Sequence, residues 1–200
     1  MKIVVVNNYK EPEQTERAIQ NIKRFTGQST SKIDFNEPDL HNRVEEAEPD
    51  LVILTGSSAL LSKPRTRELF QPEMDLVRNA TFPVLGICYG HQIIGSAFDT
   101  PMRDLGHMLR GYEKVSVIKK YPLFDGLPSD LVVAESHRQE LVKVPDEFHH
   151  LAQSTTSKVV AMVHRSKPIY GVQFHPERSN DEHPHGRIIL QNLLKQIRGL

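Results

Sequence analysis

One cysteine, one histidine and one glutamate carry most of the chemistry in this chain. Cys88 is its only cysteine and stands in the run Gly86-Ile87-Cys88-Tyr89-Gly90-His91-Gln92. The apolar stretch Val84 to Ile87 before it reads as a short buried strand. Ile93, Ile94, Ala97 and Phe98 after it suit the inner face of a helix. Gly-x-nucleophile-x-Gly between a strand and a helix describes a sharp elbow. The chain must pass close to itself there, so positions 86 and 90 carry no Cβ. The helix that follows aims its free N–H groups and positive dipole end at the sulfur, which favours thiolate, the reactive form. A lone cysteine is more commonly an inert core residue. The flanking glycines and the abrupt strand end argue for the elbow.

A cysteine nucleophile needs a base to take its proton and return one to the leaving group. The base needs an orienting partner. The run Gly171-Val172-Gln173-Phe174-His175-Pro176-Glu177 offers both. In an extended segment residues i and i+2 face the same way, so His175 and Glu177 can address one site. Both runs end strands, and ligands of open α/β sheets gather at the carboxyl ends of strands.

The elements that must hold these groups follow in order. Ile3 to Val6 reads as a central parallel strand. Pro12 opens a helix with Ala18, Ile22 and Phe25 inward and Gly27 beyond its end. Ile33 and Phe35 mark a lateral strand. Asn36 is placed to cap a helix carrying Leu40, Val44 and Ala47. Leu51 to Leu54 is a second buried strand, ending in Thr55-Gly56-Ser57-Ser58. Leu69, Leu76 and Val77 predict one helix before the elbow strand. Strand and helix thus alternate up to residue 98, which implies a parallel sheet covered on both faces. Further on, Val115 to Val117, Leu131 to Val133, Val159 to Ala161 and Ile169 to Phe174 read as strands without long helices between them. Ile188, Ile189, Leu193, Leu194 and Ile197 form an apolar face of a last helix. The expectation is α/β: a flavodoxin-like doubly wound mixed sheet with helices on both faces, one domain over residues 1–200.

The chain has 200 residues, with 25 basic and 25 acidic side chains and so no net charge. That balance gives no footprint for nucleic acid or an anionic membrane. One cysteine excludes an internal disulfide and fits a reducing cytoplasm. The N-terminal apolar run is too short for a leader or a membrane span. His149-His150 and His183-Pro184-His185 lack acidic or cysteine partners at ligand spacing. They read as solvated loop histidines, and no metal is assigned.

The two motifs together resemble the class I, or triad, glutamine amidotransferases, and the resemblance spans most of the chain. Within that family the chain looks most like the free-standing glutaminase subunits of archaeal-type GMP synthases. The residues that carry this are Lys167-Pro168-Ile169-Tyr170 leading into the second motif, and Ser136-His137 followed by Val144-Pro145. The resemblance implies Cys88 as nucleophile, His175 as general base and acid, and Glu177 as the residue orienting His175. It implies oxyanion donors from the backbone of Ser57 and Tyr89. Two such fixed donors are worth about 3–4 kcal/mol each. It also implies Gly56, Gln92, Ser136 and His137 as binding residues for glutamine. No cofactor belongs to this chain; ATP and Mg are expected on a separate ATP-dependent synthetase partner. The docking face is expected around Thr55 to Ser58, Tyr89 and Arg178 to His185.

The chain departs from the family pattern at several points. Gly-Gly-Pro in the oxyanion loop is here Gly56-Ser57-Ser58. The opening run is Asn7-Asn8-Tyr9-Lys10-Glu11-Pro12. Gln139 replaces an acidic residue, and Arg178 follows the triad glutamate where valine is common. Two alternatives stay open. One is a γ-glutamyl hydrolase on the same fold, separable by turnover of a γ-glutamyl peptide against glutamine. The other is a catalytically weak regulatory module, favoured by the altered loop and opposed by any labelling of Cys88 with a glutamine-like electrophile.

Overall fold

The structure is a computed structural model that describes residues 1–199. Among the described residues nine strands form one sheet. They are β1 (Lys2–Asn7), β2 (Ser29–Asp34), β3 (Leu51–Leu54), β4 (Val84–Ile87), β5 (Met102–Val117), β6 (Asp130–Leu141), β7 (Phe148–Gln153), β8 (Ala161–His164) and β9 (Ile169–Val172). Their order is β2-β1-β3-β4-β9-β8-β7-β5-β6. The neighbours from β2 to β9 are parallel and those from β9 to β6 antiparallel. The helices are α1 (Pro12–Thr26), α2 (Leu40–Glu46), α3 (Pro64–Leu69), α4 (Gln71–Asn79), α5 (Tyr89–Ala97) and α6 (His185–Arg198). The doubly wound mixed α/β sheet expected from the sequence is the observed one.

The central strands are apolar on both faces because both faces are covered. Ile3, Val5, Leu51, Ile53, Leu85 and Ile87 point into a core shared with Ile22 of α1 and Ile189, Leu190, Leu193 and Leu194 of α6. Val4, Val6, Val52, Leu54 and Val84 point the other way, against Leu40, Val44, Met74, Leu76, Ile93 and Ile94. Alternation of period two thus divides one sheet between two cores.

Several local expectations are corrected. Asp39, in the left-handed region at φ 54°, precedes α2 in place of Asn36. The single helix expected around Leu69 is two, α3 and α4, and Leu69 is exposed. Pro72 opens α4 without a break because its missing N–H falls in the first turn. β8 begins at Ala161, so Val159 and Val160 precede it. His149 and His150 lie on β7, a strand too mixed in polarity to stand out in sequence. β5 and β6 are far longer than their apolar patches, because β5 is largely exposed and polar and the buried face of β6 continues through polar Glu135, His137 and Gln139. No helix among the described residues is long and apolar enough to cross a membrane.

Candidate active site

Cys88 occupies the turn between β4 and α5, at φ 52° and ψ −97°. This is a region that non-glycine residues enter only under constraint. Its N–H donates to Val172 O at 2.8 Å, which ties the turn to the end of β9. The neighbouring glycines are required by close approach. A Cβ on Gly86 would lie 2.5 Å from the Gly90 backbone, and one on Gly90 would lie 2.4 Å from Leu54 O.

His175 and Glu177 reach Cys88 from beyond β9, which ends at Val172. The extended geometry read from sequence does not hold here. Pro176 to Arg178 form a 3-10 turn, and the fixed φ of Pro176 suits its first position. The turn still brings the two side chains together. His175 Nδ1 donates to Glu177 Oε1 at 2.7 Å, and both side chains are nearly fully buried. The His175 N–H donates to Ala134 O at 2.7 Å, which anchors the segment to β6.

Burial alone would raise the Cys88 thiol, but the charge of the neighbouring His175 imidazolium outweighs that and holds it below its ordinary range. Burial alone would lower His175, but the Glu177 carboxylate and the Cys88 sulfur together lift it to about 10. Burial would likewise raise Glu177, and the charge of His175 holds it low instead. The three groups therefore favour thiolate, imidazolium and carboxylate over their neutral forms.

A cavity of about 300 Å³ opens over Cys88, lined by Ser57, Gln92, Arg110, Ser136, His137 and Gln139 among others. Four of the residues expected at the substrate, Ser57, Gln92, Ser136 and His137, thus meet at one place. Ser136 and His137 lie within β6, not at its end, and Ser136 O is 3.6 Å from Cys88 Sγ. The Gln92 amide donates to Gln139 O at 2.7 Å and to Gln173 Oε1 at 3.2 Å. Gly56 does not line this cavity. It is buried between Tyr9 and His175.

Ser57 lies outside the positive-φ region, so serine carries no strain in the loop where the family pattern has glycine. The N–H groups of Ser57 and Tyr89 have no backbone acceptor among the described residues. Thr55 O accepts from Gly90 N at 3.1 Å and so fixes the loop against the Cys88 turn. Thr55 and Tyr89 are themselves buried, which removes them from the expected docking face.

Three contributors escaped the sequence reading. Arg178 Nε lies 3.6 Å from Glu177 Oε1, and its Nη2 donates to Tyr9 Oη at 3.3 Å. Two departures from the family pattern, 169 positions apart, are therefore one unit against the His175–Glu177 pair. The third is Glu135, whose Oε2 lies 2.8 Å from His137 Nε2. The alternation of β6 signals it, since Glu135 and His137 both face inward between buried Val133 and Gln139. Among the histidines once weighed for metal, His149 meets Lys119 Nζ, and His185 Nδ1 accepts from Val132 N.

The profile of the family described as "Glutamine amidotransferase class-I" matches residues 4–197. The chain is 34% identical over 179 residues to a glutamine-hydrolyzing GMP synthase subunit of Archaeoglobus fulgidus, covering 88% of this chain and 89% of that protein. It is 33% identical over 202 residues to the protein of the same designation from Methanococcoides burtonii, covering 98% and 96%. Among solved structures it resembles a protein assigned as a GMP synthase subunit from Thermoplasma acidophilum. That likeness has a TM-score of 0.84 at 29% identity and covers 100% of this chain and 94% of the other.

Proposed function

The chain belongs to the class I glutamine amidotransferases, and on that premise we propose that it is a glutaminase subunit working through Cys88, His175 and Glu177 to supply ammonia to a separate ATP-dependent synthetase of the GMP-synthase type. The observation that carries this reading is the strained Cys88 turn with the buried His175–Glu177 pair against it.

In this reading the Cys88 thiolate attacks the side-chain carboxamide carbon of glutamine. The oxyanion forms toward the N–H groups of Ser57 and Tyr89. His175, as imidazolium, gives its proton to the leaving nitrogen as the C–N bond breaks, and ammonia departs. A γ-glutamyl thioester remains on Cys88. His175 then takes a proton from water, which attacks the thioester and releases glutamate and thiolate. Glu177 stays ionised throughout and holds the His175 ring with its Nδ1–H inward. Gln92, Ser136 and His137 bound the space for the amino-acid end. Gly56 contributes by its lack of a Cβ, since any side chain there would push against Tyr9 and His175.

The relatives are each designated as one subunit of a GMP synthase, which supports a synthetase carried on another polypeptide. The partner would hold ATP and Mg. The mouth of the site offers exposed Ser58, Met108, Tyr112 and Arg178 for docking. The test is glutamate release with and without a GMP-synthetase polypeptide, ATP and xanthosine monophosphate, with a γ-glutamyl peptide assayed in parallel. Stimulated glutamine hydrolysis with GMP formed supports the reading. Stimulation without GMP would keep the glutaminase and discard this acceptor. Peptide turnover with no response to the partner would favour the γ-glutamyl hydrolase.

A further inference from the structure

A second imidazole–carboxylate pair stands beside Cys88. Glu135 and His137 are i and i+2 on β6, and their side chains are 0% and 1% exposed. His137 Nε2 lies 2.8 Å from Glu135 Oε2, and His137 Nδ1 lies 3.0 Å from Gln139 O. Both partners of the ring are oxygen acceptors. A neutral imidazole carries one N–H and would turn its bare nitrogen toward an oxygen lone pair. An imidazolium satisfies both contacts. Ser136, between the two residues, places its carbonyl 3.6 Å from Cys88 Sγ, and His137 lines the same cavity as the sulfur.

We infer that Glu135 holds His137 as a fixed imidazolium, a second cation that works with His175 to keep Cys88 ionised. This rests on reading Cys88 as the nucleophile. His137 is a positioning residue in this account. Both ring nitrogens are committed within β6, so it transfers no proton and donates no ring hydrogen bond to glutamine.

The pair follows from the cost of burial. A buried imidazolium without a counter-charge would shed its proton, and a buried carboxylate alone would take one up. Together on one strand face they keep each other charged. The titratable and charged groups around Cys88 and His137 come from several elements, and buried His91 of α5 lies toward His137. His175, Glu177 and Arg178 follow β9, Tyr9 follows β1, Arg110 comes from β5, and Glu135 and His137 come from β6. Burial pushes the Cys88 thiol up; His175, then His137, then Arg178 draw it down. Burial would lower His137, but its bond to Glu135 and the nearby sulfur hold it above its ordinary range.

The experiment is the pH dependence of Cys88 alkylation by iodoacetamide, in the wild type, Glu135→Gln, Glu135→Asp and His137→Gln, with melting curves for each. Glu135→Gln and His137→Gln should move the alkylation midpoint up by about half to one pH unit, a fall of roughly 3–10-fold in rate below the midpoint. Glu135→Asp keeps the charge and should stay near the wild type. An unchanged midpoint in folded Glu135→Gln overturns the inference, because a protonated Glu135 donating to a neutral ring would be mimicked by the amide. Should the glutamine variants not fold, the ring ¹⁵N shifts of His137 in the wild type decide the matter. Both nitrogens protonated at pH 8 supports the inference, and a neutral ring sinks it. A wild-type Cys88 that glutamine cannot protect from alkylation would instead count against the nucleophile reading itself.

Discussion

Gly56 and His175 are packed so tightly that a Cβ on Gly56 would stand 2.9 Å from His175 Cε1 and 2.5 Å from the Tyr9 hydroxyl. Gly56→Ala must therefore push the imidazole, the tyrosine or both. A displacement of even 1 Å at a catalytic base costs about 10²-fold, and that is the fall in kcat expected for Gly56→Ala. Tyr9→Phe removes the closer of the two contacts. The double variant should then recover part of the loss, which steady-state glutamate release on purified protein will show.

Substitutions in the candidate triad should differ in severity. His175→Ala removes the group proposed as both base and acid. Glu177→Gln keeps a bond to Nδ1 and loses only the orienting charge. It should be milder by roughly 10²-fold in kcat. Equal losses in the two variants would show that Glu177 does more than orient the ring.

The pH profile follows from the shifted groups. Cys88 and His175 titrate as a pair, so kcat/KM should be bell-shaped with two macroscopic midpoints. The acid limb marks loss of the thiolate and should lie below the ordinary thiol range. The alkaline limb marks loss of the His175 proton, needed by the leaving ammonia, and should fall near pH 10. A rate still rising beyond pH 10 in folded protein would contradict this assignment of acid and base.

Glu73 on α4 gives a stability test away from the chemistry. It is fully buried, and burial lifts its carboxyl to about 8 against one opposing bond from Asn8 Nδ2. Its folded pKa is thus raised above its unfolded value of 4.5. Stability from this group is fully present below pH 4.5 and is lost as pH rises toward about 8, by at most about 1.4 kcal/mol per pH unit. Glu73→Gln cannot ionise. Its melting temperature relative to the wild type should climb between about pH 5 and pH 8 and then level. A constant difference across that range would show that Glu73 enters the fold already charged.

The sequence announces the parts of the site that rest on local geometry. Gly86 and Gly90 encode the elbow around Cys88 because close approach forbids side chains at those two positions. His175 and Glu177 do form a pair, though through a 3-10 turn at Pro176 and not through an extended strand. What stays hidden depends on distant contacts. Tyr9 and Arg178 meet only after the sheet brings the ends of β1 and β9 together. Glu135 escapes notice because it lies beyond Leu131 to Val133, the apolar patch by which the strand is read. Once β6 runs to Leu141, the alternation places Glu135 beside His137. In the fold, the parallel half is legible from its apolar runs. β7 and the full ribbon of β5 and β6 are not, because β5 is largely exposed and polar while β6 and β7 set polar Glu135, His137, His149 and His150 among their apolar residues.

The most direct measurement is glutamate release by Cys88→Ala beside the wild type, both assayed with the synthetase and its substrates present and both shown to be folded. The account predicts that the wild type hydrolyses glutamine and passes through a γ-glutamyl adduct on Cys88 detectable by mass spectrometry after acid quench. It predicts that Cys88→Ala shows neither turnover nor adduct. Wild-type turnover in Cys88→Ala would contradict it.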